Sequence, residues 1–329
     1  MFFLDFFMMG CSPFRKREQI KFSARGITYE NALICNMKHL FLLLVISLSA
    51  FGQQKIPYGN NPKAGHYAAI RGINLYYETY GKGAPLLFIH GNTGSIKDFS
   101  NQIPFFSKHY QVIIADNRSH GKSIDTQDSL SYEQMADDFA ALLDHLKLDS
   151  VNVVGWSDGG INGLLLASRH PEKVRKLAVT GANLIPDPIK STDPWVVEFV
   201  NIAIDSLQKA PVSLERNRML KLTRLLVEQP HITHADLGKI ECPTLVIGGD
   251  HDVILPHHTL EIASAIKRSY LWILPNSGHS TPVFYKNLFT NIKIEFKIKI
   301  LGGYYIFYNY NFCLIYIFKT KMGIYAYIK

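Results

Sequence analysis

Ser157 stands between glycines in Gly155-Trp156-Ser157-Asp158-Gly159, a G-x-S-x-G pattern with "VNVV" on one side and "INGLLLA" on the other. The left flank reads as strand and the right as helix, the setting in which this pattern lifts a serine hydroxyl above a sheet. So tight a turn strains the backbone and brings neighbouring chains close, which explains glycine at 155 and 159. The N–H of Asp158 opens the helix and can donate to a developing oxyanion. The chemistry implied is nucleophilic attack on an acyl carbon. A hydroxyl is a poor nucleophile without a base, and the base must be oriented by a third group.

Two later stretches supply those groups in the order Ser, Asp, His that accompanies this elbow. "VIGGDHDVILP" follows a strand candidate and offers Asp250 and Asp252; "LPNSGHSTP" follows the next and offers His279. Position after the last strand separates His279 from the other twelve histidines.

From about Ala69 to His279 the chain resembles the α/β-hydrolase superfamily, and "GWSDGGINGLLLA" with "HP" shortly after resembles the valacyclovir hydrolase and biphenyl-hydrolase-like group. The resemblance implies an α/β-hydrolase fold, with a mostly parallel central sheet flanked by helices and a short helical cap. It places the acid in a G-x-x-D-x-x-x-P turn, matched by Gly249, Asp252 and Pro256, and so selects Asp252 over Asp250. "HGNTG", His90 to Gly94, falls where the family has its second oxyanion donor, here the N–H of Asn92. "DNRSHGKS" resembles D-x-R-G-x-G-x-S with Ser119 in place of the first glycine, and is read as scaffold.

A serine at the elbow excludes the epoxide hydrolase and haloalkane dehalogenase branches, which use Asp there. Esterase, lactonase, thioesterase, perhydrolase and carbon–carbon hydrolase readings remain, because the site and not the fold decides function. The expected activity is cleavage of a small carboxylic ester through Ser157, His279 and Asp252. A non-catalytic ligand-binding homologue is the alternative. Trp156 and Asp158, beside the nucleophile, are assigned to substrate binding. The resemblance implies that Asp158 holds the amino group of an α-amino ester; the competing reading is a carboxylate that only caps the helix start.

Other chemistries find less support. "HGKS" fails as a phosphate loop because Asp116 stands where G-x-x-x-x-G-K-S needs glycine. The pairs His231/His234 and His257/His258 lack further ligands at metal-binding spacing, so neither metal nor cofactor is expected.

The elements that must position these residues alternate between short β-branched runs and helix-period segments, as in a parallel sheet with crossover helices. Strand candidates are "INLYYETYG", "PLLFIHG", "QVIIADNR", "VNVVGWS", "VRKLAVTGA", "PTLVIGGD" and "SYLWILPNSG". "SYEQMADDFAALLDHLKL" places Met135, Phe139, Leu142, Leu143 and Leu146 on one helix face. The rhythm breaks at about 185–239, where one helix is expected after Asp193 and another after Ser213, forming the cap. The first aligns Val196, Phe199, Val200, Ala203 and Leu207 in one stripe.

The 329 residues carry a formal charge of +8, yet Met37 to Tyr285 holds 23 basic and 23 acidic residues. The excess lies at the ends, so nothing in the middle calls for nucleic acid. "MKHLFLLLVISLSAFGQQ" from Met37 has the basic start, apolar run and small cleavage-site residues of an export signal at 37–52, with cleavage near Gly52. Residues 1–36 then read as an upstream over-read and 53–290 as the hydrolase domain. Cys11 and Cys35 precede the cleavage point, and the remaining Cys242 and Cys313 are too few for a disulfide framework. Residues 291–329 are built largely from Ile, Lys, Phe, Tyr, Asn and Leu, and 300–318 lack charge. That tail reads as a frameshifted end or, if genuine, a membrane-associated segment. The expected partner is a small ester, and the sequence leaves the oligomeric state open.

Overall fold

Apolar, β-branched runs without alternation form strands covered on both faces, and this chain builds its sheet from them. The computed structural model describes residues 56–284, 299–301, 304–307, 315–320 and 323–328. The main sheet comprises β1 (Gly65–Ile70), β2 (Ile73–Tyr80), β3 (Ala84–Ile89), β4 (Tyr110–Ala115), β5 (Val151–Trp156), β6 (Val174–Thr180), β7 (Thr244–Gly249) and β8 (Ser269–Leu274). Their spatial order is β1-β2-β4-β3-β5-β6-β7-β8. β1 and β2 pair antiparallel, as do β2 and β4; the remaining neighbours are parallel. The central strand β3 shows the two-sided burial: Leu87 and Ile89 enter one apolar cluster, Leu86 and Phe88 the other.

Seven of these strands match the sequence expectation; β1 was not anticipated. Its sequence, "GHYAAI", is poor in β-branched residues, and it lies at the sheet's edge. What holds it is a two-residue hairpin in which Arg71 and Gly72 both have positive φ, 44° and 86°.

Helix α1 (Tyr132–His145) is capped by the Ser131 side chain, which accepts from Gln134 N, and buries Met135, Phe139, Leu142 and Leu143. Leu146 packs half-buried against the same cluster. Helix α2 (Asp158–Arg169) follows β5 directly. Between β6 and β7 lie the cap helices α3 (Pro194–Lys209), where Asp193 accepts from Trp195 N, and α4 (Leu214–Glu228), where Ser213 accepts from Arg216 N. Helix α5 (Pro256–Ala265), outside the sequence expectation, joins β7 to β8.

The stripe expected on α3 is only partly covered. Val200 is buried, Val196, Ala203 and Leu207 are half-buried, and Phe199 is 64% exposed beside exposed Trp195 and Ile202. α3 buries a single residue, so its apolar surface is broader than the body covers.

α4 is tied down more firmly. Lys221 Nζ donates to Asp125 Oδ2 at 3.0 Å and to the Gln127 carbonyl at 2.6 Å, while Arg218 Nη1 donates to the Ser119 carbonyl at 3.2 Å. Asp125 faces buried Arg118, whose guanidinium grips Asp138 at 2.6 and 2.8 Å. Ser119, at the position the family gives to glycine, adopts φ +64° and donates its hydroxyl to Asp125.

In the tail, β9 (Lys299–Leu301), β10 (Tyr304–Phe307), β11 (Ile315–Thr320) and β12 (Gly323–Ile328) form an antiparallel sheet ordered β12-β11-β10-β9. Among the described residues no helix is long and apolar enough to cross a membrane. The over-read at 1–36 and the export signal at 37–52 lie outside the described residues.

Candidate active site

The nucleophile turn forms because β5 ends where α2 begins, with Ser157 between them as the helix N-cap at φ 58°, ψ −123°. Such a conformation costs about 1–3 kcal/mol in a non-glycine residue and persists only where its surroundings enforce it. Here Ser157 N donates to the Thr180 carbonyl at 2.8 Å, and the Ser157 carbonyl accepts from Gly160 N and Ile161 N at 2.7 and 3.1 Å. The flanking glycines are sterically required. A Cβ at Gly155 would run into the Gly159 carbonyl, and one at Gly159 into the carbonyl of Ile89 at the end of β3.

Three of the sequence-assigned residues meet. Ser157 Oγ lies 2.9 Å from His279 Nε2, and His279 Nδ1 lies 2.7 Å from Asp252 Oδ1. The Asp252 side chain is fully buried, the imidazole about one-quarter exposed. Asp252 Oδ1 also accepts from Ile254 N at 3.0 Å, which holds the carboxylate in place. With its Nδ1 proton donated to Asp252, the imidazole can receive the serine proton at Nε2.

Asp250, the competing acid, does something else. Its carboxylate accepts from Asn276 N and Ser277 N at 2.9 and 3.0 Å, bracing the loop that carries His279. Those backbone donors hold its pKa below the usual value.

The loop after β3 lies against the nucleophile: a Cβ on Gly91 would stand 3.0 Å from Ser157 Cβ. Asn92 follows Gly91 in that loop. Asp158 is the first residue of α2, where an amide has no partner within the helix.

The Asp158 side chain is 3% exposed. Its carboxylate accepts from Asn92 Nδ2 at 2.8 Å and from the Tyr132 hydroxyl, yet burial outweighs these bonds and raises its pKa. Tyr132 is pushed well above the usual phenol value by burial and by the neighbouring Asp158. Trp156, assigned to substrate, donates its Nε1 hydrogen to the His279 carbonyl at 2.8 Å, and its ring packs against the second apolar cluster. It positions the histidine loop.

Among the described residues no group of three or more His, Cys, Asp or Glu could hold an ion. His257 bonds the Lys190 carbonyl and His258 faces Glu261.

Sequence reasoning missed Tyr132, Gly181 and the Asn92 side chain. Tyr132 gave no signal, since it opens a helix and its partner is distant in sequence. Gly181 had one, a glycine immediately after a strand beside the nucleophile strand. It adopts φ +64° beneath His279.

A family model described as alpha/beta hydrolase fold matches residues 84–219. Serine hydrolase BPHL of Mus musculus is 26% identical over 248 residues, which cover 69% of this chain and 84% of that protein. The 2-hydroxymuconate semialdehyde hydrolase of Pseudomonas sp. (strain CF600) is 27% identical over 268 residues, covering 72% and 95%. Among solved structures, the enol-lactonase from Burkholderia xenovorans LB400 has a TM-score of 0.56 at 24% identity, covering 68% of this chain and 96% of that one. The sheet order, the serine elbow and these matches agree: the chain has the α/β-hydrolase fold, and its residues 84–219 match that family's model.

Proposed function

We propose that this chain is a serine hydrolase that cleaves small carboxylic esters through an acyl-enzyme. The observation that carries the reading is the pair of contacts from Ser157 Oγ to His279 Nε2 and from His279 Nδ1 to Asp252 Oδ1, 2.9 and 2.7 Å. Ser157 attacks the acyl carbon as His279 takes its proton. Asp252 orients the imidazole and stabilises its positive charge. The N–H groups of Asn92 and Asp158 hold the oxyanion; one such donor is commonly worth about 10²–10³ in turnover. His279 then protonates the leaving alcohol, and water, deprotonated by the same imidazole, releases the acid.

Labelling with a fluorophosphonate and turnover of p-nitrophenyl acetate test this, with Ser157→Ala as the control. Both should vanish in the variant. A non-catalytic ligand-binding homologue would show no turnover to lose. Lactone, peracid and carbon–carbon substrates run beside the ester separate the remaining chemistries.

A narrower reading, an α-amino ester, draws on Asp158. An ionised carboxylate next to the oxyanion opposes its negative charge, and a substrate ammonium would cancel that opposition. Against it stand the bonds from Asn92 and Tyr132, which already occupy the carboxylate. Hydrolysis of a phenylalanine ester compared with its deaminated analogue decides: equal rates discard the amino-ester reading. We also infer export from the signal at 37–52; sequencing the N-terminus of protein recovered outside the cytoplasm checks for cleavage near Gly52.

A further inference from the structure

The side chain of Asn92 has a task separate from that of its main chain. Nδ2 donates to Asp158 Oδ2 at 2.8 Å and to the main-chain carbonyl of Leu222, in cap helix α4, at 3.0 Å. A primary amide has two N–H hydrogens, so both are engaged. The loop after β3, the first residue of α2 and the cap thus meet on one nitrogen.

Both acceptors are themselves fixed. Asp158 is also hydrogen-bonded by the Tyr132 side chain. Leu222 is buried, and the helix carrying it is seated by Arg218 on the Ser119 carbonyl and by Lys221 on Asp125. The loop needs that hold. Thr93, not a glycine, adopts φ +54°, and its hydroxyl donates back to the Asn92 carbonyl at 2.7 Å. A left-handed non-glycine residue relaxes unless its surroundings over-determine it. On the other side of Asn92, Gly91 crowds Ser157, so turning the peptide between them re-aims an N–H close to the reacting atoms.

We propose that the Asn92 side chain is a positioning residue for acyl transfer: bonded at once to Asp158 and to the Leu222 carbonyl, it aims the Asn92 N–H, and the oxyanion hole is complete only while α4 is seated. This rests on the ester-hydrolase reading above. It adds that the cap acts on chemistry as well as on access to the site.

The test uses the full chain and two variants, Asn92→Leu, which keeps the bulk and loses both donors, and Asn92→Asp. Rates are normalised to the fraction of enzyme that takes up fluorophosphonate to completion, so loss of folded protein does not enter. For Asn92→Leu we expect kcat on p-nitrophenyl acetate to fall about 10- to 100-fold, the scale of a misplacement of about 1 Å, with KM nearly unchanged. In Asn92→Asp two carboxyls face each other and share a proton. That proton keeps only the link to Asp158, while the Leu222 carbonyl loses its donor; the link breaks as pH rises, so kcat should start lower and gain a declining alkaline limb that the wild type lacks. Normalised kcat within threefold of wild type in Asn92→Leu, together with an unchanged pH profile in Asn92→Asp, overturns the proposal.

The cap's share is read by combining Asn92→Leu with Lys221→Met. If α4 acts through Asn92, the second change lowers kcat in the wild type and adds little in Asn92→Leu; independent, additive effects overturn the coupling. The rate constant of fluorophosphonate labelling probes the same oxyanion hole without any ester. A wild type that labels but does not turn over esters therefore rejects the ester reading and leaves this test in force, and one that does neither rejects both.

Discussion

Gly181 lies directly beneath the imidazole of His279: a Cβ placed on it would stand 2.8 Å from Cε1 and 3.0 Å from Nδ1. The residue also has φ +64°, where side chains other than glycine are strained. Gly181→Ala should therefore displace the ring from Ser157 and lower kcat by about 10²-fold, with a smaller effect on KM. Steady-state kinetics and a crystal structure of the variant check this; an unmoved ring with full activity would contradict it.

The two neighbouring acids should separate cleanly. Asp252→Asn leaves the shape intact and disturbs the imidazole tautomer, for which a loss of about 10⁴ in kcat is expected. Asp250→Asn keeps one carbonyl acceptor for the amides of Asn276 and Ser277, so its loss should stay within about tenfold, a displacement well under 1 Å. Measuring kcat for both variants decides, and equal losses would reassign the acid.

Stability should fall in acid because two buried histidines are accommodated only as neutral rings. His90 accepts from Asn117 N at Nε2, and its Nδ1 lies 2.8 Å from the Gly91 carbonyl; burial lowers its pKa to about 4. His120 stacks edge-on against it at 5.1 Å and is lowered to about 3, chiefly by burial and then by His90. Both pKa values lie below the unfolded value of about 6.5, so the unfolded chain binds more protons once pH drops through that value. The stabilisation is complete above pH 6.5 and is lost as pH falls toward about 4 for His90 and about 3 for His120. The slope is at most about 1.4 kcal/mol per pH unit for each ring. Denaturant unfolding between pH 8 and 4.5 should show the decline, and His120→Asn should flatten it.

Breaking the seat of the cap should be costly. Asp125 is buried and the Lys221 side chain only 10% exposed, so Lys221→Met strands a carboxylate. The destabilisation should lie toward the low end of the roughly 3–5 kcal/mol typical of such a loss, because Arg118 Nη1 remains 3.5 Å from Asp125. Thermal melting, with faster hydrogen exchange along α4, is the readout.

The residues that meet at the candidate site were legible in the sequence because they carry local signals. Ser157 has its glycines and its strand-to-helix context, Asp252 its turn, and His279 its place after β8. What escaped were contacts with no local signature. Asn92 meets Asp158 across 66 positions and Leu222 across 130, and nothing near Asn92 announces either. Adjacency to the nucleophile says nothing of direction: side chains alternate along β5, and the Trp156 indole N–H turns to the His279 carbonyl. Phe199 lies on the expected stripe yet is exposed. Periodicity marks an apolar face but not whether anything covers it.

The segment bearing His279 is moored at three separate places. Asp250 takes its entry at Ser277, the Trp156 indole takes the carbonyl of His279 itself, and buried Gln102 donates to the Pro282 carbonyl at 2.6 Å just past it. These anchors come from the ends of β7 and β5 and from the turn ahead of β4, so losing any one of the three does not cast the ring adrift. Damage to one should swing the imidazole about the other two, and impairment would come in degrees.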